Sequence, residues 1–214
     1  MVPKNFRHII WDWNGTLLDD KWLCIESINV LLDRRGIKQL DLDKYHEIFD
    51  FPVKNYYERA GFDFIKEPFE IPAMEFIELY RSRCLECSLN PGAIQVLDTL
   101  REMGVSHSLL SASEEMLLTR MTEHFGISQY FRVITGLNNH YATGKVDLGR
   151  QHLQQIPFHP DEIIMVGDTC HDQEVAHHLG IKCILYTNGH FPEHRLRSCG
   201  TMMVSSLSDL CLSC

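Results

Sequence analysis

No run of apolar residues in this 214-residue chain reaches the roughly 20 needed to cross a bilayer. The amino terminus, Met1-Val2-Pro3-Lys4-Asn5-Phe6-Arg7, leads into the first strand without an apolar signal segment, so a cytoplasmic protein is expected. Basic charge is scarce: 20 Lys and Arg against 29 Asp and Glu leave a formal charge of −9. Such a charge repels nucleic acid and anionic membrane surfaces unless a local basic patch intervenes, and the sequence has none. Internal repeats and low-complexity segments are missing too, and with 44% hydrophobic residues the chain is expected to be globular, with one full core and room for a modest insertion. The eight cysteines lack dense regular spacing, which fits reduced thiols inside a cell better than a disulfide framework. Two pairs, Cys84 with Cys87 and Cys211 with Cys214, have Cys-x-x-Cys spacing but lie far apart in sequence. The first falls in a helical pattern, where i and i+3 share a face and buried Cys acts as a small apolar residue, so packing is expected there rather than zinc.

What is present is organised around Ile9-Ile10-Trp11-Asp12-Trp13-Asn14-Gly15-Thr16-Leu17-Leu18-Asp19. An apolar run from His8 to Trp11 suits a strand, and it delivers Asp12 to a Gly-Thr turn, after which the pattern becomes helical. Ligands of open α/β sheets sit at the carboxyl ends of strands, and Gly15 lets the backbone bend sharply toward a bound anion. Asp12 is therefore the first candidate for chemistry.

From Asp20 to about Ser88 the pattern is helical: Lys21 to Arg35, about Asp41 to Phe49, Pro52 to Arg59, and a fourth helix opened by Pro72 and running toward Cys87. This all-helical block, 20–88, reads as a cap inserted into a core formed by 1–19 and 89–214. Asn90-Pro91-Gly92 is a turn at the return point, followed by a helix to Met103. Strands are expected at Val105 to Leu110, Phe131 to Ile134, Ile163 to Val166, Lys182 to Tyr186 and Thr201 to Val204, alternating with helices and with a polar loop from Gly136 to Thr143. Alternation of this kind implies an α/β fold, a Rossmann-like doubly wound parallel sheet with an inserted all-helical cap.

In such a sheet the loops carrying Asp12, Ser111, Lys145 and Asp168 with Asp172 emerge along one edge. In order, the segments Asp12-Trp13-Asn14-Gly15-Thr16-Leu17, Ser111, Lys145 and Gly167-Asp168-Thr169-Cys170-His171-Asp172 resemble the four motifs of the haloacid dehalogenase superfamily, and the helical insert resembles the cap of its phosphoglycolate-phosphatase-like members. The resemblance implies a phosphatase acting on a small phosphorylated metabolite through an aspartyl phosphate on Asp12, with Mg2+ held by Asp12, the backbone carbonyl of Asn14 and Asp168, and Asp172 as a further carboxylate. Gly15, Thr16, Ser111, Ala112 and Lys145 would then meet the phosphate, Ser111 through its hydroxyl and Lys145 through its charge. The residue types are coherent by themselves, since moving a phosphoryl group onto a carboxylate brings two anions together and needs a cation, fixed donors and an aligned nucleophile.

Asn14 departs from the motif, which carries a second Asp that protonates the leaving oxygen and later activates water. An amide can do neither, and general acid-base help is worth about 10²- to 10⁴-fold. The expected activity is therefore a slow phosphatase, with a phosphotransferase, a phosphonate-type enzyme or a phospho-ligand-binding protein as alternatives. His171 lies inside the fourth motif as a further candidate for proton transfer, and Lys54, Tyr56, Tyr57 and Arg59 form a polar-aromatic cluster in the cap.

Overall fold

The His8–Trp11 strand (β1) is buried at all four positions, as a central strand covered on both faces must be. The computed structural model of the chain describes residues 6–137 and 144–211. After β1 come a two-residue strand β2 (Leu18–Asp19), helices α1 (Lys21–Arg34), α2 (Leu42–Ile48), α3 (Val53–Ala60) and α4 (Glu70–Arg83), and a second short strand β3 (Ser88–Leu89). Helices and strands then alternate: α5 (Ala93–Glu102), β4 (Ser106–Glu114), α6 (Glu115–His124), β5 (Phe131–Leu137), α7 (Lys145–Leu153), β6 (Ile163–Gly167), α8 (Cys170–Leu179), β7 (Lys182–Tyr186), α9 (Glu193–Leu196) and β8 (Met202–Val204).

Six strands form one parallel sheet in the order β5-β4-β1-β6-β7-β8, the Rossmann-like arrangement expected from the alternation. Trp11 stands opposite Leu109 of β4 on one side and Val166 of β6 on the other, so the chain beyond β1 emerges between two neighbours that leave it in opposite directions. That is the switch point where ligands of open parallel sheets bind. The chain divides into two compact units, Met1–Asp19 with Leu89–Cys214, and Asp20–Ser88. Among the described residues no helix is long and apolar enough to cross a membrane.

The 20–88 unit is all helix apart from the edge of β3, and its core is aromatic. Tyr45 stacks on Phe49 at 4.9 Å between ring centres, Phe49 meets Tyr56 edge-on at 5.2 Å, and Tyr57 lies 5.0 Å from Phe62. Helix α1 ends at Gly36, whose φ of 64° suits the left-handed turn that stops a helix. Arg35, just before it, binds Glu67 through Nε at 2.6 Å and a terminal nitrogen at 3.0 Å, and reaches Glu75 at 3.2 Å. Arg35→Ala is expected to cost about 1–2 kcal/mol, because the pairing is bidentate and half-buried yet partly screened by water. A denaturant titration of wild type and variant checks this, and an unchanged midpoint would refute it.

Several local expectations change. Pro72 lies inside the first turn of α4 instead of opening it, where its missing N–H leaves no helical bond unmade. Cys84 sits in a 3-10 turn and Cys87 follows it outside any helix, both buried, and neither joins a cluster of three or more metal-binding groups among the described residues. Cys214 and most of the polar loop, 138–143, lie outside the described residues. β4 runs past Leu110 to Glu114 because, after an irregularity, Glu114 regains a partner in Leu137 of β5. The expectation of wholly reduced thiols is corrected: Cys170 and Cys199, 29 residues apart, form a disulfide with Cα atoms 5.9 Å apart. Their approach is created by the β7 crossover, so no short spacing in the sequence signals it.

Candidate active site

Asp12 continues β1 by one residue, its backbone N–H donating to the Val166 carbonyl at 2.8 Å, and so its side chain is fixed by the sheet itself. Gly15 turns the chain with φ 75°, and a side chain at this position would collide with the Asp168 carboxylate. Asn90 clamps the turn: its amide nitrogen lies 3.0 Å from the Gly15 carbonyl and 2.9 Å from that of Thr16.

Asp168 and Asp172 come from the turn between β6 and α8. Asp172 is the third helical residue and its Oδ2 accepts from the N–H of Asp168 at 3.2 Å, the N–H of Thr169 at 3.0 Å and the Thr169 hydroxyl at 2.7 Å. This is a helix N-terminus satisfied by its own carboxylate. The backbone N–H of His190 donates to Asp168 Oδ2 at 2.6 Å, and the Thr16 hydroxyl lies 3.0 Å from Asp168 Oδ1 and 3.3 Å from Asp12 Oδ2.

Asp12, Asp168 and Asp172 are all buried, with carboxylate oxygens within 4.8 Å of one another. Lys145, the first residue of α7, is buried beside them. Its Nζ bonds Asp172 Oδ1 at 2.6 Å and Asp12 Oδ1. Burial pushes Asp12 up to about 8, the pull of Lys145 being only partly effective against two further carboxylates. Burial likewise raises Asp168 to about 6, opposed by His190. Burial also works against Asp172, but Lys145 and Thr169 outweigh it and hold its carboxyl below the ordinary range. Lys145 is kept charged by the same two aspartates against the cost of burial.

Three carboxylates crowd around one ammonium, and an all-oxygen donor set suits a hard divalent cation such as Mg2+. Asp12 and Asp168 each place a carboxylate oxygen in this group. Asp172 bonds Lys145 through Oδ1 and the N–H groups of its own turn through Oδ2, so it fixes both.

Ser111 is buried on β4, next to β1, and its hydroxyl accepts from the N–H of Ser113 at 3.1 Å, while Ala112 is exposed. The Ser113 hydroxyl donates to Asn14 Oδ1 at 2.7 Å, which ties the end of β4 to the turn after Asp12. The Thr16 hydroxyl, expected at the phosphate, lies between two carboxylates. The His171 ring lies 3.3 Å from the Glu174 carboxylate. The cap cluster disperses: Tyr56 and Tyr57 are core residues, Lys54 lies over the Phe64 ring and Arg59 pairs with Asp50. Sequence reasoning missed Asn90, Ser113, Thr169 and His190; Asn90 carried a signal as the first residue of an Asn-Pro-Gly turn, and Thr169 as the start of a Thr-x-x-Asp capping box.

Residues 9–186 match the haloacid dehalogenase-like hydrolase family, and the chain belongs to it. It is 29% identical over 179 residues to the tyrosine-protein kinase PtkA of Mycobacterium tuberculosis, covering 83% of this chain and 60% of that protein's length. It is 24% identical over 186 residues to a phosphoglycolate phosphatase of Rhodobacter capsulatus, covering 85% of this chain and 84% of that one. In fold it is similar to a haloacid dehalogenase-like hydrolase from Streptococcus pneumoniae, with a TM-score of 0.87, 19% identity and 99% of each chain covered.

Proposed function

We propose that the chain is a Mg2+-dependent phosphatase of small phosphate monoesters, with Asp12 as nucleophile and the 20–88 helices as its cap. The observation that carries this reading is the buried set of Asp12, Lys145, Asp168 and Asp172 at the switch point of the sheet. An Asp12 oxygen attacks phosphorus, the bond to the ester oxygen breaks, and the leaving alkoxide takes a proton from water; a second water then attacks the acyl phosphate and regenerates Asp12. Lys145 orients Asp12 and offsets the charge gathered at the phosphoryl oxygens, and the Ser111 hydroxyl donates to one of them. A bound Mg2+ would supply the positive charge that lets two anions meet.

Asn14 favours a second reading. Its carbonyl oxygen is fixed by Ser113, and its amide cannot remove a proton from water, so the acyl phosphate lasts and can pass to an acceptor hydroxyl. The likeness to a protein named as a tyrosine kinase supports the same reading.

Both are tested with a panel of phosphoglycolate, sugar phosphates and nucleoside monophosphates, each with Mg2+ or EDTA. Mg2+-dependent turnover is expected, and Asn14→Asp should raise it about 10²-fold, the low end of general acid-base catalysis, since the Ser113 bond survives the change. Equal or lower turnover in Asn14→Asp, with a phosphorylated protein that accumulates and discharges onto an added hydroxyl acceptor, would favour the phosphotransferase. No turnover and no phosphorylation would overturn both.

A further inference from the structure

The Asp168 carboxylate is held from two directions. On one side its own turn is closed by Asp172, which binds the N–H groups of Asp168 and Thr169. On the other, the segment after β7 brings the N–H of His190 to Asp168 Oδ2 at 2.6 Å, and Gly189 packs so closely that any side chain there would strike the same carboxylate. Turn and segment belong to different crossovers of the sheet. One covalent link joins them: Cys170, the first residue of α8, is bonded to Cys199, which ends the 3-10 turn Arg197–Cys199.

Two observations separate this bond from a structural staple. Five other described cysteines, Cys24, Cys84, Cys87, Cys183 and Cys211, carry thiols instead of disulfides, whereas chains that depend on disulfides in an oxidising compartment bond theirs. The segment is also anchored without it, since Phe191 and Leu196 are buried and the Thr187 N–H bonds the Val204 carbonyl. Both bonded cysteines are half-buried, within reach of a small thiol.

We propose that Cys170–Cys199 is a reversible thiol–disulfide modification site that sets how firmly the Asp168 turn is held, and through it the affinity of the site for its cation. In the reducing direction, one thiolate of a small dithiol attacks a cysteine sulfur, forms a mixed disulfide and releases the other cysteine. The second thiolate then displaces the first cysteine, so that two electrons and two protons pass to the protein and the reductant becomes a disulfide. A low-molecular-weight disulfide such as oxidised glutathione runs the same exchange backwards. With the link open, the 187–200 segment separates from the start of α8 more often, and the His190 N–H leaves Asp168 with it. The effect on the cation rests on the function proposed above; the coupling of the bond to Asp168 does not.

The test uses the whole chain in the oxidised form, the dithiothreitol-reduced form, and as Cys199→Ser, with intact mass reporting the thiol state. Amide hydrogen exchange is read without metal, and Mg2+ affinity by calorimetry. Reduction and Cys199→Ser should each speed exchange across 187–200 by about tenfold and weaken Mg2+ binding about three- to tenfold. Reductant should change nothing further in Cys199→Ser, and oxidised glutathione should restore only the wild type. A pair that stays reduced after treatment with oxidised glutathione, or exchange across 187–200 that is identical in both states, would overturn the proposal. Exchange that responds while Mg2+ binds neither form would uphold the hold on Asp168 and sink the cation assignment instead.

Discussion

Asp12→Asn is expected to lose turnover by at least about 10³-fold, as removal of a nucleophile does, while the metal-free protein stays as stable as the wild type or gains stability. The second half of that expectation comes from crowding. Asp12 shares its burial with Asp168 and Asp172, and a single ammonium, Lys145, serves the group. Burial raises the Asp12 pKa to about 8, so its favourable, protonated form is lost as the pH rises through that value. Above pH 8 the folded wild type must keep this carboxylate ionised without metal, and the amide removes that cost while Asp172 still pairs with Lys145. Steady-state assays and thermal scans at pH 8.5, with and without Mg2+, check both halves. Turnover like that of the wild type would remove the nucleophile assignment, and a marked drop in the metal-free melting temperature would contradict the account of crowding.

The second large effect is a loss of stability in acid that arises far from catalysis. His8, His107 and His152 are buried in the sheet core, where burial lowers them to about 3, 4 and 4, His8 being lowered further by His152, His107 and Arg132. Two of the rings are accounted for by neutral partners: His8 spans Ser106 at 2.6 Å and Ser108 at 2.8 Å, and His152 spans Ser108 at 2.6 Å and Thr135 at 2.7 Å. The Trp11 indole donates to Nδ1 of His107 at 3.1 Å, which requires that nitrogen to be unprotonated. A histidine lowered in the folded state contributes its stability in full above its unfolded pKa near 6.5 and loses it as the pH falls toward the folded value. Between about pH 6 and 4.5 the unfolded chain thus takes up close to three protons that the folded one does not, a slope approaching 4 kcal/mol per pH unit. Asp12 and Asp168, raised by burial, oppose this in the metal-free protein. The clean measurement is therefore the difference between wild type and His152→Gln in denaturant titrations over that range. Loss of packing gives an offset independent of pH, whereas loss of the titrating ring should flatten the slope by about 1.4 kcal/mol per pH unit. Parallel lines would show that His152 does not titrate on unfolding.

Much of this architecture is readable from the chain because it is written in short-range periodicity. Lys182 to Tyr186 reads as a strand from its own apolar run and is one, and the Lys21 helix is stopped by Gly36 where the pattern ends. The order of Asp12, Ser111, Lys145 and Asp168 along alternating strands and helices was enough to direct attention to one edge of a sheet. Partners that depend on which loops meet left no such trace. Thr16 looks like a phosphate contact in its motif, yet its hydroxyl lies between Asp12 and Asp168. Asn90 reads as an ordinary turn residue and holds two carbonyls of the Gly15 turn. Ser113 reads as the tail of a strand and fixes Asn14.

The sequence by itself determined the class of fold, the family, and the absence of a carboxyl group at position 14. These follow from hydrophobic periodicity and residue chemistry, which each segment carries alone. The tertiary structure alone decided how the carboxylates share one ammonium, which donors hold Asp168, and that Cys170 reaches Cys199. The physical reason is the strand order: β1 lies between β4 and β6, strands far from it in sequence. Charges from separate crossovers are thereby forced into one desolvated space, and their pKa values and pairings exist only once the sheet has formed.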